Sequence, residues 1–178
     1  TADAMKGVLY MNDRMKEISE NIDYVKERIR LACEKAHRDL SEVTLVAVSK
    51  TKPVEDIEYA AAAGMTCFGE NKVQELTMKM DRLTGPFRWN MIGHLQKNKV
   101  KYIVGRVDLI HSVDSLELAS KIQDESVKRH VHTIILIEVN VSGEESKFGV
   151  TPNELPGLVE KIAMFSNVHI RGLMTIAP

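Results

Sequence analysis

Apolar residues near the start of the chain recur at steps of three and four: Met15, Ile18, Ile22, Val25, Ile29, Ala32 or Cys33, and Ala36. That stripe predicts one long amphipathic helix. Its other faces carry Lys16, Glu17, Glu20, Lys26, Glu27, Arg28 and Arg30, whose mixed signs describe solvated helix surface rather than a binding strip. Residues 1–7 carry no pattern and are expected to fray. At residues 44–49 the period changes to a short, nearly continuous apolar run rich in β-branched side chains, as expected for a strand buried on both faces of a parallel sheet. Lys50 ends it. Pro53 presets the backbone of a first helical residue, and Glu55 and Asp56 complement the positive end of the next helix, which runs through Ile57, Ala60 and Ala61. Gly64 closes that helix.

The alternation repeats, with strands expected at about residues 66–69, 88–92, 109–112, 132–141 and 168–176, and helices at about 71–83, 96–104, 115–129 and 153–165. Leu116, Leu118, Ala119 and Ile122 face inward on the 115–129 helix, and 132–141 holds the strongest β-branched run of the chain. Such alternation calls for an α/β fold with a parallel sheet and right-handed crossovers, either doubly wound or a TIM (β/α)₈-type barrel. The barrel is favoured, because no Gly-x-Gly-x-x-Gly follows the first strand. Polar residues recur instead at strand C-terminal ends, Lys50, Asn71, His94, Ser112 and Asn140, where barrel active sites assemble. A barrel has eight strands and about 250 residues, so these 178 residues are expected to form a single barrel domain, incomplete at its C-terminal end, with about six of the eight strands. Unpaired edges on the first and sixth strands would favour self-association.

Composition narrows the function classes. With 44% hydrophobic and 28% charged residues the chain can build one core, and a net charge of -1 gives no global field for nucleic acid or an anionic membrane. Lys97, Lys99 and Lys101 lack interleaved aromatic residues apart from Tyr102 and read as a solvated helix face, so no nucleic-acid partner is expected. No run approaches the roughly 20 apolar residues of a membrane-spanning helix, so no membrane association is expected either. Cys33 and Cys67 fit no metal or redox spacing and suit a reducing, cytoplasmic setting. His130 and His132, at i and i+2, could share one strand face, but no third ligand at metal-site spacing accompanies them, and no metal is expected.

Lys50 is the sharpest chemical signal. An amine at the end of a buried apolar strand is partly desolvated, which favours its neutral, nucleophilic form and Schiff-base formation. The plainer reading is a lysine snorkelling from the rim into water, and that describes Lys52 better.

Around Lys50 the run Ala47-Val48-Ser49-Lys50-Thr51-Lys52-Pro53 is followed in order by further motifs. These are Phe68-Gly69-Glu70-Asn71 with Val73-Gln74-Glu75, and Ile92-Gly93-His94-Leu95-Gln96 with Asn98-Lys99. Asn140 with Glu145-Ser146-Lys147-Phe148-Gly149, and Gly172-Leu173-Met174, complete the series. Together they resemble the YggS/PROSC family, the pyridoxal phosphate homeostasis proteins, from the first helix onward. The resemblance implies a barrel like the N-terminal domain of alanine racemase, with pyridoxal 5'-phosphate (PLP) held as an internal aldimine on Lys50. It also implies a role in PLP homeostasis: carriage and delivery of the aldehyde, with PLP-dependent apoenzymes as recipients, and no established turnover.

For such a cofactor Asn71, Ser112 and Asn140 offer polar contacts, His94 a place beside it, and Met174 packing on its ring. The plainer readings are structural support for His94 and core filler for Met174. The Ser-Met-Gly-Met-Ser-like and Arg-Ile-Gly-like segments of family members do not occur here. Barrels commonly bind phosphate on the loops after strands seven and eight, so weaker binding than by a longer chain is expected. Lys147 reads as flexible polar surface, the sharper alternative being a second amine for cofactor transfer. An alternative function is a PLP-dependent amino-acid racemase, which needs an opposing acid or base. Tyr10, Tyr24, Tyr59 and Tyr102 fall on predicted helices or in the N-terminal segment, which weakens that reading. A further alternative is an interaction module without a ligand.

Overall fold

The computed structural model describes residues 2–144 and 148–177, with side chains from residue 13 onward. Six strands, β1 (Ala47–Val48), β2 (Cys67–Glu70), β3 (Arg88–Met91), β4 (Leu109–Val113), β5 (Thr133–Glu138) and β6 (Val168–Met174), form one sheet in sequence order. A sequential order with helices or helical turns between strands is the barrel arrangement; a doubly wound sheet reverses its strand order at a switch point. The chain divides into two compact units, Thr1–Phe68 and Gly69–Pro178, so that β2 contributes two residues to each.

The first unit opens with α1 (Ala2–Lys35), which starts well before the apolar stripe does. Ala2, Ala4, Met5 and Lys6 are good helix formers, and extending an existing helix needs no second nucleus. Along the stripe Ile18, Ile22 and Ile29 are half-buried and Cys33 is buried, while Met15 and Val25 remain exposed. In α2 (Val54–Ala62) Pro53 occupies the N-cap rather than the first helical position, Glu55 and Asp56 lie in the first turn, and Gly64 comes after the end at φ +82°. Arg14 of α1 donates to Asp56 through Nε at 3.3 Å and Nη2 at 2.7 Å, and Lys26 Nζ donates to the Ala63 carbonyl at 3.2 Å. These contacts hold α1 against both ends of α2. The strand expected over 44–49 contracts to the two residues of β1, and Val48 is exposed instead of buried on both faces. Among the described residues β1 stands at one end of the strand order, with ladder partners on one side only, which limits its length.

In the second unit the parallel registers Asn90↔Leu109, Ile110↔Ile135 and Ile135↔Ile170 align β3 to β6. Three helices alternate with them: α3 (Val73–Arg82), α4 (Leu116–Arg129) and α5 (Leu155–Ala163). Ile110, Val113, Ile135 and Ile137 from the strands and Leu118, Ala119, Ile122 and Ile162 from the helices are buried. Each large side chain among them contributes about 1.5–3 kcal/mol by leaving water. Ser115 caps α4 by accepting from the Leu118 N–H at 3.3 Å. The helix expected over 96–104 is instead a 3₁₀ segment, Lys97–Tyr102. Lys97 and Lys101 would repel each other one α-helical turn apart, and Asn98 is a poor helix former. Val100, Ile103 and Val104 still bury, and Arg129 of α4 donates to the Lys101 carbonyl and, at 3.3 Å, to the Val104 carbonyl. Among the described residues no helix is long and apolar enough to cross a membrane.

Candidate functional site

Lys50 lies in the turn between β1 and α2, which closes when the Lys52 N–H donates to the Ser49 carbonyl at 3.0 Å. Thr51, the next residue, has φ +64°, a left-handed conformation costing a β-branched residue roughly 1–2 kcal/mol. Such strain persists only where the surroundings over-determine it, and it concentrates at functional turns. Here buried Ser49 anchors one side and Pro53, at the N-cap of α2, the other. The Lys50 side chain is exposed, not partly desolvated: it stands in the turn beyond β1, one residue past buried Ser49. The turn therefore offers an accessible amine on a stiff backbone. A cavity of about 310 Å³ in the same unit is bordered by Ser49, Lys52 and Asp56 but not by Lys50, and apolar side chains such as Ile18, Ile22 and Ile57 make up much of its wall. It is not a receptacle for that amine.

In the second unit Asn71, His94 and Asn140 come after their strands while Ser112 lies on β4, and Asn71 and Ser112 are tied together through Gly93. A Cβ on Gly93 would lie 2.4 Å from the Asn71 carbonyl oxygen and 2.7 Å from its Cα, so only glycine lets the chain after β3 pass the chain after β2. The Ile92 N–H donates to the Glu70 carbonyl at 3.0 Å. Ser112, buried on β4, donates its hydroxyl to the Gly93 carbonyl at 2.6 Å. Its proton is thus committed to the rim. Asn71 is half-exposed and open to further contacts.

His94 is exposed, with its ring stacked on Phe148 at a centroid distance of 4.0 Å and 18° between planes. Its Nδ1 is 3.9 Å from Asp114 Oδ2, beyond hydrogen-bond reach. Asn140 organises its own loop: Nδ2 donates to the Glu144 carbonyl at 2.8 Å, and Oδ1 accepts from Ser142 Oγ at 3.2 Å and the Gly143 N–H at 3.1 Å. The loop returns through Gly149, φ +111°, where a Cβ would meet the Asn140 nitrogen at 2.6 Å. Met174 is half-buried at the end of β6, and its carbonyl accepts from the Val139 N–H at 2.8 Å. Lys147, with Glu145 and Ser146, lies outside the described residues.

Buried charges in this unit were not singled out from the sequence. Lys79 of α3 is only 1% exposed, and its Nζ donates to Glu70 Oε1 and to Glu75 Oε1, both at 2.7 Å. The i, i+4 spacing of Glu75 and Lys79 was a legible signal; the share of Glu70, brought in by the end of β2, was not. Glu138 is buried near the end of β5, and burial first, then the charge of Asp114, pushes its carboxyl group up from the ordinary value. Its signal was a carboxylate ending an unbroken apolar run, Ile134 to Ile137. On β4, His111 Nε2 hydrogen-bonds Asn90 Oδ1 at 3.1 Å, and burial pushes its imidazole down, toward the neutral ring.

An anionic aromatic aldehyde needs an amine that it can reach, polar groups for its substituents and an apolar surface for its ring. Lys50 is an accessible amine in the first unit; within the second, Asn71 and His94 are accessible polar groups and Met174 is a half-buried apolar one. Ser112 and Asn140 hold the backbones around them.

The sequence matches the alanine racemase N-terminal domain family over residues 21–178. It is 45% identical over 160 residues to the pyridoxal phosphate homeostasis protein of Aquifex aeolicus, an overlap covering 89% of this chain and 70% of that protein. A crystal structure of a Bifidobacterium adolescentis protein matches with a TM-score of 0.87 and 36% identity, over 93% of this chain and 71% of that one. PipY of Synechococcus elongatus, solved with PLP bound, matches with a TM-score of 0.74 and 34% identity, over 90% of this chain and 71% of PipY.

Proposed function

The chain belongs to the pyridoxal phosphate homeostasis protein family, within the alanine racemase N-terminal domain group, and from that premise we propose that it binds PLP on Lys50 and carries it without turnover of a substrate. The observation that carries this reading is the likeness, over 90% of the chain, to PipY with its bound PLP. The cofactor would supply an aldehyde; the Lys50 amine adds to it and one water leaves, giving a Schiff base with no redox step. The exposed position of Lys50 suits a lysine that must take up and give back its cargo, and the strained turn at Thr51 holds the amine's base in one place. Asn71, His94, Ser112, Asn140 and Met174 complete the proposed cofactor-binding set: Asn71 and His94 as polar partners, Met174 as apolar surface, Ser112 and Asn140 as braces of the backbones around them. PLP-dependent apoenzymes in the cytoplasm are the proposed recipients.

The test is direct. Protein mixed with PLP, reduced with borohydride and mapped by peptide mass should carry the adduct on Lys50. Lys50→Ala should lose both the adduct and the visible absorption band while keeping its unfolding midpoint, because the side chain is exposed. An adduct confined to another lysine, or none, defeats the assignment. Loss of α-deuterium from amino acids incubated with the loaded protein would replace carriage by racemase-like chemistry.

A further inference from the structure

We propose that His132 and His169 form a two-imidazole site for a divalent transition metal of the copper, nickel and zinc class, independent of Lys50 and its cofactor. The sequence pairs His132 with His130, but the fold separates them. His130 closes α4 in the left-handed conformation, φ +57°, with its N–H directed to the Ser126 and Val127 carbonyls. His132 instead leads into β5, whose parallel register with β6 sets Thr133 opposite Val168 and Ile134 opposite His169. Across that register His132 Nδ1 lies 2.8 Å from His169 Nε2, with ring centroids 5.0 Å apart and planes inclined by 29°.

At that distance two neutral rings share one proton, N–H to N. When the donor ring passes this proton through water to its own other nitrogen, both rings stay neutral and the two facing nitrogens each offer a lone pair to a metal. Zn–N bonds of about 2.0–2.1 Å at tetrahedral or square angles require the nitrogens to part by no more than about half an ångström. Both side chains are exposed and free to make that adjustment. Their backbones are not: the Thr133 N–H donates to the Asn167 carbonyl at 2.8 Å, Asn167 Nδ2 donates to the Val131 carbonyl at 2.9 Å, and the Asn167 N–H donates to Gln123 Oε1 at 2.9 Å. The residues flanking each histidine are thereby locked together, and a preorganised pair loses little freedom on binding.

The donor set chooses the metal. Two imidazoles without a carboxylate suit borderline cations and not magnesium or calcium. Among the described residues no group of three or more His, Cys, Asp or Glu side chains could hold a metal ion, so water fills the remaining positions and the site is open and exchangeable. A bound ion would clip β5 to β6 and raise stability as its concentration exceeds the dissociation constant.

Tag-free protein titrated with Cu²⁺, Ni²⁺ and Co²⁺ should bind one tightest equivalent of each, with affinity falling in that order. Electron paramagnetic resonance of the one-equivalent Cu²⁺ complex should report coupling to two imidazole nitrogens. His132→Ala and His169→Ala, both surface changes, should each weaken binding by about tenfold or more, since even an outer partner of a metal ligand commands that much. His130→Ala and Lys50→Ala should bind the metal as the parent does. Unchanged affinity in His169→Ala, coupling to a single nitrogen in the parent, or loss of binding in His130→Ala would each overturn the site. None of these results bears on the PLP adduct, so the two readings fail separately.

Discussion

Two lysines receive opposite treatment from this fold. Lys50, in the first unit, stands exposed in a tight turn beside a strained threonine. Lys79, in the second, is almost wholly buried, its ammonium bound to Glu70 and Glu75 at 2.7 Å each. The difference teaches that accessibility and not the residue type assigns the chemistry. An amine that must meet an aldehyde needs solvent and a fixed base, whereas a buried ammonium has its donors directed to carboxylates and serves to fix the end of β2, one residue before Asn71. A buried ion pair adds little net stability over apolar residues, but breaking one is expensive.

The largest effect that would test this contrast is Lys79→Met. It strands the buried Glu70 carboxylate without its cation, and urea unfolding should show a loss of about 3–5 kcal/mol. Adding Glu70→Gln should restore much of it. If Lys79→Met unfolds like the parent, Lys79 does not clamp the strand and the contrast fails.

A smaller effect separates Glu70, which has a lysine, from Glu138, whose carboxyl faces the charge of Asp114 and has no paired cation among the described residues. The folded state raises the proton affinity of Glu138 above its unfolded value. Its contribution is therefore fully present below the unfolded pKa and is lost as pH rises through the folded one. Glu138→Gln should remove that loss, so its urea midpoint should gain on the parent as pH rises from the ordinary glutamate range toward neutrality. A difference that stays constant with pH would show that Glu138 is not the group responsible.

The smallest effect concerns the turn at Lys50. Thr51→Gly relieves the left-handed strain but gives the unfolded chain more freedom, so the net gain in stability should be under about 1 kcal/mol. The measurement is the thermal midpoint. A clear loss instead would mean that the threonine side chain's own contacts outweigh the strain of its backbone.

The six strands were legible because hydrophobic period is a local property: short apolar stretches such as Ile134 to Ile137 alternate with helical spacing. Lys50 was legible by its position after such a run. Its exposure was not, because the turn after β1 buries Ser49 and presents Lys50 to solvent, a fact of the chain's course in space that no window of sequence contains. The segment 96–104 differs for a related reason: its apolar anchors fit an α-helix and a 3₁₀ turn alike, and its carbonyls are met by Arg129, 25 and 28 residues away. Among the candidate cofactor residues, Ser112 and Asn140 stood out as polar groups at strand ends, yet the structure commits much of their hydrogen bonding to Gly93 and to the 140–144 loop.

By itself the sequence determined the α/β alternation and the family and put forward Lys50 as the amine proposed to meet an aldehyde, since these rest on residues close together along the chain. Only the tertiary structure decided that Lys79 is buried while Lys50 is not, that Glu138 has no paired cation among the described residues, and that His132 meets His169 and not His130. Those outcomes depend on partners from 4 to 37 residues away, and the free energy of a charge or an imidazole is set by what surrounds it in space.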